Sequence, residues 1–162
     1  MVEALHTIGV YGWESEHFFD ELLSRQIDLV VDVRARRSVR GSRYAFANHK
    51  RLEAELDRVG IAYLHVPALA PDRDFRARQS SADKSAGIAK RQRPTLAREF
   101  VDSYRLDVIG QAPMTAIVDH IDGLGARPAL LCVELEPAAC HRSLAASAIA
   151  DITDVELHHL IP

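Results

Sequence analysis

The sequence lacks long apolar runs and any pattern of paired cysteines. No stretch approaches the roughly 18–20 consecutive apolar residues that span a bilayer, so no membrane association is expected. The first ten residues, MVEALHTIGV, lack the basic region and long apolar core of a secretory signal. The two cysteines, Cys132 and Cys140, are too few for a disulfide framework. These absences argue against a small disulfide-rich secreted protein and predict a location in the reducing cytoplasm.

Aromatic residues are also scarce, at 6% of the chain, whereas 48% of residues are hydrophobic and 27% are charged. The last two values are ordinary for a globular protein, and 162 residues suffice to bury one full core. We therefore predict a single domain over residues 1–162.

Positive charge is concentrated in two segments, although the net charge of the chain is only −3. Residues 34–51 contain seven Arg and Lys residues and no acid, and residues 73–93 contain seven more with two aspartates. Such segregation creates a local positive field that favours phosphate or nucleic-acid contact. Residues 71–93 are polar and poor in apolar periodicity, which predicts a mobile basic loop with a short helix near Asp72–Gln79.

Apolar runs alternate with amphipathic stretches along the chain. The runs predict strands at His6–Val10, Ile27–Val33, Ile61–Val66, Ala129–Val133 and Val155–Leu160. The amphipathic stretches predict helices at Glu14–Arg25, His49–Val59, Thr95–Ile109, Pro113–Leu124 and Pro137–Ile149. This alternation predicts an α/β fold in which an open, mostly parallel sheet of about five strands has helices on both faces.

Polar residues and glycine follow four of the predicted strands. Gly9, Asp32 with Arg34, His65 and Glu134 stand at these strand ends. Ligands of open α/β sheets bind outside the carboxyl ends of the strands, so we expect one shared cleft. Asp32 and Arg34 either form a salt bridge, or Arg34 clamps an oxyanion that Asp32 orients. His65 is either a general acid or base or a core histidine.

The densest group of reactive side chains lies between Cys132 and Arg142. Pro137 suits the first turn of a helix, which would place Cys140 near the positive end of the helix dipole. His141 and Arg142 would then be natural anion ligands, with Glu134 as an acid or base. Cys140 is either an activated thiolate or a small buried residue. Cys132, Glu134, Cys140 and His141 could instead ligate a metal. Seven residues separate the two cysteines, more than zinc sites commonly place between paired cysteines, so no metal site is assigned.

The arginine-rich loop after the second strand is the strongest compositional signal. We interpret Arg36, Arg40 and Arg43 in this loop as phosphate ligands, because a solvated surface has no need of so many bases without an acid. The neighbouring aromatic residues, Tyr44 and Phe46, are too few to suggest a surface on which bases stack.

The chain resembles the domain-of-unknown-function 488 family. The resemblance rests on Thr7-Ile8-Gly9, on Asp32-Val33-Arg34 with the basic loop, on the Gly60–Leu69 segment, and on Cys132-x-Glu134 with Cys140-His141-Arg142. It implies an α/β fold and a shared polar pocket but no settled reaction. Three departures stand out: Val10-Tyr11 where the family usually has His-Ser, Arg37 near the place of a proline, and Ala70-Pro71 in place of two glycines.

Three functional hypotheses follow. The first is an enzyme acting on a phosphorylated small molecule, a nucleotide or a nucleic acid. It would use Glu134, His65, His141 and Cys140 for chemistry and bind substrate through the arginines, Gly9 and Asp32. The second is a non-catalytic module that binds nucleic acid or an acidic partner. The third is a metal-supported or thiol-redox protein. The sequence identifies no cofactor and does not fix the oligomeric state.

Overall fold

Five parallel strands form the centre of the computed structural model, which describes residues 1–89 and 93–162. The strands are β1 (Leu5–Gly9), β2 (Leu29–Asp32), β3 (Ala62–His65), β4 (Pro128–Cys132) and β5 (Leu157–Leu160). Their spatial order is β3-β2-β4-β1-β5, and every neighbouring pair is parallel. The predicted α/β fold with an open parallel sheet is therefore confirmed.

Six α-helices are present in the described residues. They are α1 (Ser15–Ser24), α2 (His49–Arg58), α3 (Arg73–Ser85), α4 (Arg98–Ser103), α5 (Met114–Leu124) and α6 (His141–Thr153). Short 3₁₀ turns occur at Ser42–Ala47, Pro67–Leu69 and Pro137–Ala139, and a π-helical stretch, Tyr104–Ile109, continues α4. None of the helices in the described ranges is long and apolar enough to cross a membrane.

Both faces of the sheet are covered, as predicted. Phe18 and Leu22 of α1 and Leu56 of α2 pack on one face, while Ile121 of α5 and Ile149 of α6 pack on the other. Alternate residues along a strand point to opposite faces, so the buried runs serve both layers at once. This explains why the strands read as nearly continuous apolar segments.

The strand order creates a switch point between β1 and β4. From β1 the chain proceeds to β2 and β3 on one side of the sheet, and from β4 it proceeds to β5 on the other side. The connections leave in opposite directions there, and a crevice opens at the carboxyl ends of the two strands. Gly9 and Cys132, which are register partners at the ends of β1 and β4, lie at this crevice.

A smaller apolar cluster covers the same edge of the sheet. Phe75 of α3 packs against Phe100 of α4, and Tyr104 stacks on Phe100 with ring centroids 6.1 Å apart. The Tyr104 hydroxyl donates a hydrogen bond of 2.6 Å to the carbonyl of Leu69. This cluster holds α3 and α4 beside the strand ends.

Two predicted boundaries are wrong, and one predicted helix is longer than expected. The short helix predicted near Asp72–Gln79 is a 13-residue helix, Arg73–Ser85, capped by the Asp72 carboxylate on the amide of Phe75. Lys90 and Arg91 of the predicted loop at residues 71–93 lie outside the described residues. Pro94 does not open a helix, because α4 begins at Arg98. The helix predicted from Pro137 is a 3₁₀ turn followed by α6, with Cys140 in the N-cap position between them.

Candidate functional site

A cavity of about 840 Å³ lies at the carboxyl edge of the sheet. Its walls come from the loop after β2, from α3 and the segment before α4, and from the turn between β4 and α6. The predicted site residues that line it are Arg34, Arg36, Arg40, Glu134, Cys140 and His141. Gly9, Asp32, His65, Arg43 and Arg142 are not part of its lining. The volume is in the range of pockets that bind small molecules.

Asp32 and Arg34 form a closed, buried ion pair. The Arg34 guanidinium donates to both carboxylate oxygens, at 2.9 Å from Nε and 2.7 Å from Nη2. Its Nη1 donates to the carbonyl of Ala47 at 2.9 Å, and the Tyr63 hydroxyl donates to Asp32 at 2.6 Å. Arg34 is 2% exposed and Asp32 is fully buried. The contacts correspond to the salt-bridge alternative, in which this pair braces the loop after β2.

His65 lies away from the main cavity. Its Nε2 is 2.9 Å from the carbonyl of Arg34, and the ring lines a separate cavity of about 280 Å³ beside Ile117 and His120 of α5. The parallel register sets His65 beside Asp32, yet Asp32 bonds to Arg34 and Tyr63, whereas His65 lines the smaller cavity. The structure therefore does not bring His65 together with Glu134 and Cys140 in one cavity.

Arg142 and Gly9 fix the turn that follows β4. The fully buried Arg142 guanidinium donates to the carbonyls of Glu134 and Leu135. A Cβ on Gly9 would overlap the Glu134 carbonyl oxygen and would lie 3.1 Å from Arg142 Nη1. Gly9 thus permits a close backbone approach, and Arg142 satisfies carbonyls that would otherwise be unpaired. Both residues position Glu134 without lining the cavity.

Cys132, Cys140 and His141 form a compact buried cluster at the base of the cavity. One ligand-type atom from each residue lies within 4.8 Å of the other two. Cys132 Sγ is 3.8 Å from His141 Nδ1, and His141 Nε2 is 2.9 Å from the Val33 carbonyl. A carbonyl only accepts, so Nε2 donates in this contact. These three residues could hold a metal ion.

The two thiols of this cluster titrate as a pair. Burial raises the pKa of the Cys140 thiol, but hydrogen bonds from Cys132 and His141 and the charge of Arg142 outweigh burial and lower that pKa well below the ordinary value. The hydrogen bond to Cys140 and burial raise the pKa of the Cys132 thiol. Cys140 is therefore the more acidic thiol of the pair. The sequence placed Cys140 near a helix start and grouped it with Cys132.

Exposed arginines of the two basic segments differ in their ion pairs. Arg36 and Arg40 from the loop and Arg73 from α3 are exposed, and none of them has a carboxylate partner among the described residues. Arg43, predicted to bind phosphate, instead forms an ion pair of 2.9 Å with Glu14 and lies over the Tyr44 ring.

Arg93 belongs to the site but was not among the predicted site residues. It is 8% exposed and forms an ion pair of 2.9 Å with Asp83 of α3. Its Nη2 donates to the Ala139 carbonyl at 3.0 Å and lies 3.6 Å from a carboxylate oxygen of Glu134. Arg93 therefore links α3 to both chain segments that carry the reactive groups. Arg93 lies in the second basic segment, which indicated anion binding. Nothing in the sequence distinguishes this buried arginine from the exposed arginines near it.

Residues 14–149 match the family described as domain of unknown function DUF488. The match covers most of the chain. The chain belongs to this family. No curated protein and no solved structure matches the chain. The family assignment agrees with the resemblance found in the sequence, and it supplies no reaction for the cavity.

Proposed function

We propose that this DUF488 protein is an enzyme that binds a phosphorylated, nucleotide-like substrate in the cavity at the carboxyl edge of its sheet. The observation that carries the proposal is that arginines without a carboxylate partner in the described residues line the same cavity as chemically reactive side chains. Arg36, Arg40 and Arg73 line the same cavity as Glu134 and Cys140. Arginine binds phosphate oxygens through charge-assisted, often bidentate hydrogen bonds.

The roles follow from which side chains are already engaged. Arg36, Arg40 and Arg73 are available to bind phosphate. Arg34 and Arg142 act as supports, because their guanidinium groups bond to protein oxygens. Glu134, 5% exposed and beside Arg93, is the candidate general acid or base.

Cys140 is the candidate nucleophile of this scheme. Its pKa is lowered well below the ordinary value, and the thiolate is the reactive form of cysteine. His141 lies beside it in the same buried cluster. His65, which faces the smaller cavity, has no chemical role in this proposal.

Ligand binding is tested by thermal unfolding at low salt with inorganic phosphate, nucleoside mono- and triphosphates, and a short single-stranded oligonucleotide. A ligand at 100 times its Kd stabilises the folded state by about 2.7 kcal/mol and so raises Tm. Arg36→Gln and Arg73→Gln should each reduce the shift. Arg51→Gln is the matched control, because Arg51 is an exposed arginine of the same basic run outside the cavity lining. Equal losses in all three variants, or no shift with any probe, would contradict the proposal.

Catalysis is separated from binding by Glu134→Gln. Any probe that binds is incubated with the wild-type protein, and products are identified by mass spectrometry. An enzyme should lose turnover in the variant while the Tm shift persists. A nucleic-acid binding module, the alternative favoured by the exposed loop arginines, would give no product with either protein and an affinity that falls steeply with salt.

A further inference from the structure

We propose that Cys132, Cys140 and His141 bind one divalent metal ion of the zinc class, with one coordination position open to the cavity. Cys132 is the last residue of β4, Cys140 immediately precedes α6, and His141 is the first residue of that helix. The turn between β4 and α6 therefore brings together ligands that are separated along the chain. Metal binding is measured without any phosphorylated ligand, so its failure is distinguishable from failure of the substrate proposal. With an ion bound, Cys140 is a metal ligand and not the free nucleophile of that proposal.

The spacing of the cluster fits tetrahedral coordination. Zn–S bonds of about 2.3 Å and Zn–N bonds of about 2.0–2.1 Å at tetrahedral angles place sulfur and nitrogen about 3.6 Å apart and two sulfurs about 3.8 Å apart. Cys132 Sγ and His141 Nδ1 are 3.8 Å apart, and the ligand atoms of all three residues lie within 4.8 Å of one another. Shifts of a fraction of an ångström to about 1 Å would bring three ligand atoms onto one ion.

The His141 ring already makes the kind of hydrogen bond that orients metal-ligating histidines. His141 donates Nε2–H to the Val33 carbonyl at 2.9 Å, and this bond leaves Nδ1 free to coordinate. Ligating histidines almost always give their other ring N–H to a carboxylate, a backbone carbonyl or water, which fixes the tautomer and the ring orientation. The ring of Tyr104, 5.6 Å from the His141 ring, packs beside it.

The charges of the cluster also favour a dication. All three side chains are less than 10% exposed, so two free thiolates side by side would be costly. A divalent ion binds cysteine as the thiolate and displaces thiol protons, and two thiolates with one dication sum to zero charge.

Catalytic zinc sites have three protein ligands and an open fourth position, whereas structural zinc sites have four protein ligands. Cys132, Cys140 and His141 all line the large cavity, as does Glu134. The fourth position would therefore be available to water or to an oxygen of a bound anion. An ion there would act as a Lewis acid on that oxygen.

The experiment uses the full chain, purified under reducing conditions, stripped of metal with a chelator and titrated with Co²⁺ and with Zn²⁺. Binding should saturate at about one ion per chain. Cobalt should give a thiolate-to-metal charge-transfer band and the intense visible bands of a tetrahedral site. Zinc should displace cobalt, release protons and raise Tm. Absence of the charge-transfer band at saturating Co²⁺ overturns the proposal, as does a Cys132–Cys140 disulfide in reduced preparations.

Variants test the ligand set. Cys140→Ser and His141→Gln should weaken cobalt binding by more than the about 10- to 100-fold that loss of an outer-shell partner costs. His120→Gln is the matched control, because His120 lines the other cavity, and it should bind as the wild type does. Circular dichroism checks that each variant is folded. If a ligand variant unfolds, the wild-type cobalt spectrum alone decides, since it requires coordinated thiolate.

Discussion

Replacement of Asp32 by asparagine should test whether the ion pair with Arg34 stabilises the fold or binds substrate. The carboxylate accepts four hydrogen bonds: from Arg34 N, Nε and Nη2 and from the Tyr63 hydroxyl. Asparagine has almost the same shape but replaces one acceptor oxygen by an NH₂ group. Two donors would then lose their acceptor, and the Arg34 guanidinium would remain buried without a counter-charge.

The expected cost is about 3–5 kcal/mol, because breaking a buried pair leaves one charge uncompensated. This is a large fraction of the about 5–15 kcal/mol that stabilises an ordinary domain. With a urea m-value of about 2 kcal/mol/M, the unfolding midpoint should fall by about 2 M. Adding Arg34→Met to Asp32→Asn should recover part of the loss, since the stranded charge is then removed.

Urea unfolding followed by circular dichroism measures both effects. Glu55→Gln is the control: it removes the partner of Arg58 from an exposed pair of 2.9 Å and should cost less than about 0.5 kcal/mol. If Asp32→Asn costs no more than this control but abolishes ligand binding, the pair serves substrate and our interpretation is wrong. No rescue by Arg34→Met would show that the loss comes from something other than the stranded charge.

Two further predictions concern stability. Gly9→Ala should lower the free energy of unfolding, measured in urea, by at least about 1–3 kcal/mol, because the added Cβ overlaps the backbone oxygen of Glu134. The control is Gly123→Ala in α5, where a Cβ meets nothing within 4 Å, and it should be neutral or stabilising. Stability should also fall as pH drops below 6.5, because burial, followed by the charge of His158, lowers the pKa of His6 in the folded state. Below this pH the His6 side chain is protonated in the unfolded chain but not in the folded protein. The free energy of unfolding therefore falls by at most about 1.4 kcal/mol per pH unit. Unfolding at about pH 7.5 and 5.5 checks this, and a His6→Leu variant that keeps the full pH dependence would refute it.

Apolar periodicity predicted the central strands β1, β2 and β4 because they are buried on both faces. Asp32 and Glu134 were expected at one edge because parallel strands end together. The sequence could not predict which way each side chain turns. Arg34 also donates to the distant carbonyl of Ala47, and Arg142 reaches carbonyls that exist only once the turn after β4 has formed. Such choices depend on tertiary partners that the local sequence does not encode.

Helix α3 shows a second limit of sequence reasoning. Its buried stripe consists of Phe75, Gln79 and Asp83, of which only one is apolar. The polar members are buried because they bond to each other at 2.7 Å and because Asp83 pairs with Arg93 at 2.9 Å. Apolar periodicity is therefore weak here, and the sequence predicted only a short helix near Asp72–Gln79 within a basic loop. The sequence shows the arginines of this helix, but it does not predict that they line the cavity.

The contacts of Arg93 connect the two proposals. A single guanidinium bonds to Asp83 of α3, approaches Glu134 after β4, and donates to the Ala139 carbonyl immediately before Cys140. Arg73 lines the cavity from the first turn of the same helix. If the proposed anion binds at Arg73 and shifts α3, we expect the shift to reach, through Arg93, the backbone next to Cys140. An effect of phosphate on the cobalt spectrum would then indicate that the two proposed sites are coupled, and no effect would show that they are not.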